Sequence, residues 1–226
     1  MSRTRNFFHF KYIGGSSAAT QAGFSIVELF VVVLILLVLT TISIALAANY
    51  KQHYKSEDQS LLIMDNMREA SQLALTKRRT YRVEIDQTAN TFNIIDENGP
   101  NPNALVKSLP LEPISNIRMD AAPTGIVAPA PPDYAPAVYA ADTIGHQSGG
   151  PTVIGNIVWA ARFRSDGSVV DAAGVPVSAT IFVWPPLAPA NTSARYDREV
   201  RSLTIFGGSG SMGYWKYDGA TFVPYQ

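Results

Sequence analysis

Gly23-Phe24-Ser25-Ile26-Val27-Glu28-Leu29 leads into a run in which every residue from Leu29 to Leu39 is apolar. The run continues to Ala48, interrupted only by Thr40, Thr41 and Ser43. About 25 residues of helix cross a bilayer core of ~30 Å, so the segment from Phe24 to Ala48 is long enough to span a membrane. One ionisable residue, Glu28, lies inside it, near the start. A carboxylate at the centre of a span costs at least ~2.5 kcal/mol, which selects for a residue with a partner or a task.

Upstream, residues 1–23 carry Arg3, Arg5 and Lys11 and no acid, and they end in a Gly/Ser/Ala-rich stretch. Downstream, neither Gly nor Pro occurs from Phe24 to Asn98, so nothing breaks a helix begun at Phe24. Beyond Ala48 the composition turns polar, with Lys51, His53, Lys55, Glu57 and Asp58, yet the helical period persists. Ile63, Met67, Ala70 and Ala74 share one face, widened by Leu62 and Leu73. The pattern predicts one helix from about Phe24 to about Lys77, roughly 80 Å at 1.5 Å per residue. Residues 24–48 form its membrane or filament-core part and residues 49–80 an amphipathic continuation. Met64 and Met67 are expected to pack in a core.

Gly23-Phe24, a glutamate four residues after the phenylalanine, and the Gly- and Pro-free apolar run together resemble the prepilin signature of type IV pilins and type II secretion pseudopilins. The resemblance covers about a tenth of the chain and implies a specific processing. A membrane prepilin peptidase would cut between Gly23 and Phe24, removing the basic leader 1–23, and would N-methylate Phe24. The apolar region follows this cut, whereas in an ordinary secretory signal it precedes it. Cleavage is therefore expected on the cytoplasmic face, with the N-terminus inside by the positive-inside rule and the rest exported. In a bundle of such helices the new amine of one subunit needs an anion, and Glu28 of its neighbour supplies it, strongly in a low dielectric. The competing reading is an ordinary signal anchor that tolerates a glutamate near the interface.

The charge balance is neutral, with 18 Lys plus Arg against 18 Asp plus Glu. Without the three leader cations, the remainder has 15 bases against 18 acids. No global basic field points to nucleic acid or anionic lipid. Cysteine is absent, which excludes a disulfide framework, a thiolate zinc site and a Cys nucleophile. The exported part must hold its fold by core packing.

After the helix the period changes to two. Tyr81, Val83 and Ile85 alternate with Arg82, Glu84 and Asp86, and Phe92, Ile94 and Ile95 follow a polar turn at Gln87–Asn90, which predicts a hairpin. Residues 99–152 are rich in Pro, Ala and Gly and read as irregular loop, with a strand at Ile114–Met119 and exposed stretches at Pro129–Pro132 and Gly149–Pro151. Strands are expected in Val153–Arg164, Val177–Trp184, Glu199–Phe206, Met212–Tyr217 and Thr221–Tyr225, as antiparallel sheets packed like a sandwich. The fold class is thus α+β: a long, partly transmembrane N-terminal helix on an antiparallel β-sandwich-like head, 81–226. The order of helix, hairpin, Phe163-x-Ser165-Asp166-Gly167 turn and Arg201-Ser-Leu-Thr-Ile strand resembles the H-type pseudopilins and FimT-like minor pilins. The Pro-rich insertion departs from that pattern.

The sequence holds no catalytic constellation. Of His9, His53 and His146, no pair has ligand spacing, and His146 in its Gly-rich loop reads as a solvated residue rather than a base. Gly207-Gly208-Ser209-Gly210 lies between two strands and reads as a hairpin turn, not a phosphate cradle. Asp166-Gly167 and Asp218-Gly219 read as turn formers. Arg195, Arg198 and Arg201 fall within seven residues around Tyr196 and offer a DNA-contact or interface patch, because some FimT-like pilins take part in DNA uptake. Asp197 and Glu199 interleave with them, which makes a charge-balanced strand edge the more economical reading. Trp159, Trp184 and Trp215 are expected in core or subunit packing.

These readings predict a non-enzymatic structural subunit with no cofactor and no metal. The resemblance implies a minor pseudopilin of a type II secretion pseudopilus in the inner membrane, with its head in the periplasm. Its partners would be prepilin peptidase, the membrane before assembly, an inner-membrane assembly platform and other pseudopilins or minor pilins through their N-terminal helices, but not nucleic acid. A type IV pilus minor pilin, acting in assembly, adhesion or DNA uptake, is the alternative within the class. A single-pass anchored β-domain binding protein or enzyme is the alternative outside it.

Overall fold

Alternation of large apolar and charged residues makes Tyr81–Asp86 (β1) and Thr91–Asp96 (β2) a hairpin. They pair antiparallel in continuous register, Tyr81 opposite Asp96 and Asp86 opposite Thr91. The computed structural model describes residues 25–129 and 135–225, with the side chains of 44–53 outside the description. In it one helix, Ile26–Lys77 (α1), precedes eleven strands. The remaining strands are Ala104–Pro110 (β3), Arg118–Asp120 (β4), Ala140–Ala141 (β5), Ile157–Phe163 (β6), Val169–Val170 (β7), Ala179–Trp184 (β8), Arg201–Phe206 (β9), Ser211–Tyr217 (β10) and Phe222–Pro224 (β11). The chain is therefore α+β, with one apolar N-terminal helix and antiparallel sheets.

The first sheet runs β3-β2-β1-β6-β5, and β7 pairs with the far end of β6; the second runs β11-β10-β9-β8-β4. Contacts divide the chain into a unit ending at Ala47 and a unit beginning at Ala48. In the second unit the larger of two described buried clusters collects Ile63, Met64, Met67, Ala70 and Ala74 of α1, Val83, Ile85, Phe92 and Ile94 of the first sheet, and Ile181, Val183, Leu203 and Ile205 of the second. The helical stripe expected from the sequence is the face that enters this core, and both methionines lie in it. Trp159 and Trp184 are buried, whereas Trp215 is half-buried and donates from Nε1 to Thr204 Oγ1 at 3.0 Å.

Polar groups of α1 also tie it to the sheets. Ser56 Oγ donates to Glu199 O (2.7 Å), and Gln59 Oε1 accepts from Glu112 N (3.1 Å). Glu57 contacts Lys216 at 2.5 Å and Arg201 at 3.2 Å. Burial pushes the Glu57 carboxyl up, but the two cations outweigh it and hold it below the usual carboxylate range. The helix ends by backbone geometry: Arg78 takes a left-handed φ of 53° and Arg79 N donates to Ala74 O at 3.3 Å, a six-residue closing bond. Arg79 then pairs with Asp96 at 3.1 Å, which directs the chain into β1.

The segment 99–152 is more ordered than its composition implies. β3 extends the first sheet, and β4 replaces the expected strand at Ile114–Met119, because Pro113 to Asn116 form a turn that delays extension to Arg118. Pro129 is buried, residues 130–134 lie outside the description, and Gly149–Pro151 are exposed as expected. The Gly207–Gly210 segment is the β9–β10 turn. A Cβ on Gly207 would meet the Val177 backbone, 2.5 Å from its N and 2.7 Å from its O. Backbone cannot retreat as a side chain can, so Gly207→Ala is expected to destabilise the fold by about 1–3 kcal/mol in denaturant unfolding. Gly208→Ala, which meets only the half-exposed Phe206 ring, should be near neutral, and equal effects would refute the packing argument.

Candidate functional site

Two features stand out chemically. The first is the start of α1. Ser25 caps it, its Oγ accepting from Val27 N at 3.2 Å and its carbonyl from Leu29 N at 3.1 Å. Glu28 follows in the first turn, where the helix dipole favours a carboxylate and where a Ser-x-x-Glu pair forms a capping box. From Ile26 to Ser43 the mean hydropathy is 2.8, and none of the window is buried against the chain. Thr40 and Thr41 donate to Leu37 O, and Ser43 to Leu39 O, so these hydroxyls are satisfied inside the helix. Every described side chain of this window is therefore compatible with hydrocarbon except that of Glu28. Gly23 and Phe24, the expected processing pair, lie outside the described residues.

The second feature is a buried ionic layer on the face of the first sheet opposite the core. A period-two strand ordinarily turns its polar face to water. Here Arg82, Glu84 and Asp86 of β1 are at most 1% exposed. The covering element is the chain from Asp142 to Asn156, which returns on itself through paired His146–Val153 backbone bonds and is fastened to β3 by Leu105 N to Gln147 O at 2.7 Å. Under it, Arg82 Nη1 donates to Glu97 Oε1 (2.9 Å) and Nη2 to Gly145 O (2.6 Å), while Nε lies 2.8 Å from Glu84 Oε1. Arg162 Nε donates to the other oxygen of Glu97 at 2.8 Å. Asp86 accepts from Thr88 N, Ala89 N and Asn156 Nδ2.

His146, read from the sequence as solvated, belongs to this layer. It is 7% exposed, with Nδ1 3.2 Å from Glu84 Oε2. The correction has a tertiary cause: the loop's backbone pairing folds the imidazole down onto β1. Burial pushes the Glu84 carboxyl up to about 7, against the pull of Arg82 and with help from Asp142 and Asp86. Burial and Arg82 push His146 below the usual imidazole range. Glu84, Asp142 and His146 each place one donor atom within 4.8 Å of the others.

The structure does not assemble Arg195, Arg198 and Arg201 into one exposed patch. Arg195 pairs with Glu199 at 2.9 Å and lies over the Tyr196 ring. Arg201 is 8% exposed and donates to Arg198 O and Glu57, while Arg198 is exposed. The interleaved acids noted in the sequence, with Glu57 from the helix, supply these partners. Asp166 and Asp218 cap tight turns, each accepting from the backbone N–H two residues on, as their Asp-Gly pairs imply.

Fold and sites together define an α+β protein with one N-terminal helix long and apolar enough to cross a membrane. Compared with protein-family models, curated proteins and solved structures, the chain matches none.

Proposed function

We propose that the chain is a prepilin-like structural subunit, a minor pseudopilin of the H-type and FimT-like kind, serving a type II secretion pseudopilus. The observation that carries this reading is the Ile26–Ser43 helix, uncovered over its whole length and interrupted by a single ionisable residue in its first turn. An uncovered apolar helix needs lipid or like helices around it. Glu28 fits a subunit that occupies both environments in turn. Before assembly the segment sits in the inner membrane; afterwards it packs against neighbouring helices, with Glu28 set against the methylated amine of an adjacent Phe24. The amphipathic continuation of α1, embedded in a β-rich unit, fits a pilin-like periplasmic head. That head has no catalytic work in this reading; it contacts other minor pilins, cargo or the outer-membrane channel.

The test is the intact mass of the protein expressed with and without a prepilin peptidase. The expected result is a peptidase-dependent chain beginning at Phe24 and carrying one added methyl group. A chain that keeps Met1 with the peptidase present, or one cut beyond Ala48, would overturn the reading in favour of a signal anchor or a cleaved export signal.

A further inference from the structure

Charge counting in the buried layer gives an imbalance. Two guanidinium groups, Arg82 and Arg162, face four carboxyl groups, those of Glu84, Glu97, Asp86 and Asp142. Arg82 does not relieve this at Glu84 Oε2, because its Nη1 and Nη2 are committed to Glu97 and to the Gly145 carbonyl and its Nε faces Oε1. The Glu84 side chain is 1% exposed, neither of its oxygens makes a well-aligned hydrogen bond, and the same holds for His146 Nδ1. A fully buried carboxylate oxygen is thus aimed at an imidazole nitrogen without a hydrogen bond between them. Their separation of 3.2 Å matches a different geometry. Two donors each about 2.0–2.2 Å from a tetrahedral ion stand about 3.4 Å apart. Asp142 completes the set: its oxygens accept from Ile144 N (2.9 Å) and Gly145 N (3.0 Å), which fixes the carboxylate while leaving lone pairs free.

We propose that Glu84, Asp142 and His146 form a site for one divalent transition ion, zinc or manganese, which clamps the Asp142–Asn156 loop onto the first sheet. One imidazole with two carboxylates is a donor set for such borderline ions, and the imidazole disfavours magnesium and calcium. A divalent cation there would offset carboxyl groups that the two guanidinium groups leave unpaired. The ligands come from β1 and from a loop some sixty positions later, so the ion joins segments that are distant in sequence, as a disulfide would in a chain that has no cysteine.

The experiment uses the full chain in detergent micelles, without a histidine tag and stripped by a chelator, titrated calorimetrically with zinc and with manganese chloride. The expected result is saturation at one ion per chain, with a thermal midpoint raised by about 5 °C at a hundredfold excess over Kd. His146→Gln and Asp142→Asn should each weaken binding at least tenfold. Asp142→Asn keeps the acceptor for Ile144 N and gives up only that for Gly145 N, so it removes the charge while retaining half of the turn's side-chain bonds. X-ray absorption of the zinc-loaded wild type should show one nitrogen and carboxylate oxygens in the first sphere, a readout independent of any variant. Absence of saturable binding up to millimolar ion, wild-type affinity in both variants, or a first sphere without nitrogen would each overturn the proposal.

Discussion

Glu28→Gln is expected, for the proposed pseudopilin, to abolish incorporation into filaments while leaving the helix and the β-rich unit folded. The substitution isolates charge from capping. Ser25 keeps its cap on Val27 N and Ser-x-x-Gln is as good a capping-box pair as Ser-x-x-Glu, so a Glu28 that serves only the helix start would be replaced at little cost. A Glu28 that neutralises a neighbouring amine would not. Two unit charges 4 Å apart at an effective dielectric of 20 attract by about 4 kcal/mol, close to three orders of magnitude in an association constant. Losing that partner also leaves the amine uncompensated among apolar helices, so the loss should exceed the Coulomb figure. The measurement is recovery of the protein in sheared filaments, or its cross-linking to minor pilins, against the amount present in membranes. Wild-type recovery of Glu28→Gln would eliminate the pairing mechanism; loss of the protein from the membrane fraction would instead mark a folding role.

Arg82→Ala is the second large effect and concerns the β-rich unit alone. Removing this guanidinium leaves Glu84 and one oxygen of Glu97 buried without their cation and frees the Gly145 carbonyl that anchors the covering loop. Breaking a buried pair from one side typically costs about 3–5 kcal/mol. For a domain of this size that corresponds to roughly 10 °C or more in thermal midpoint. Arg68→Ala is the comparison. Its pair with Asp65 is 3.5 Å long and more than half exposed on both sides, and it should move stability by less than about 1 kcal/mol. Thermal unfolding in chelator, with hydrogen exchange over 142–156, checks both. Equal midpoints for the two variants would mean that the ionic layer contributes no more than a surface pair.

The features legible in the sequence are those with a local period. The face Ile63, Met67, Ala70, Ala74 follows from helical spacing alone, and it is the face the core receives. The β1–β2 hairpin follows from period two around Gln87–Asn90. Glu28 stood out because an acid inside an apolar run is costly and calls for a partner or a position at the helix start. Elements whose cause is tertiary were hidden. β3 lies between Pro102 and Pro110 and has a half-buried pattern, since it is an edge strand, so neither composition nor alternation marks it. His146 looked solvated among glycines because the sequence cannot express that its loop closes on β1. The same closure buries Arg82, Glu84 and Asp86, whose alternation with apolar neighbours reads correctly as a strand and misleadingly as a wet face.

That covered face also bears on how the sequence can change over time. Arg82, Glu84, Glu97 and Arg162 restrain one another, and a single charge reversal at any of them strands a buried partner. Drift there must proceed by coupled replacement or through neutral intermediates that dismantle the layer together. The exposed turn at Gly149–Pro151 carries no such obligation, although only a few residues separate it from His146. One loop thus joins some of the least and some of the most changeable positions of the β-rich unit, and new surface chemistry can be acquired at its tip without disturbing its root.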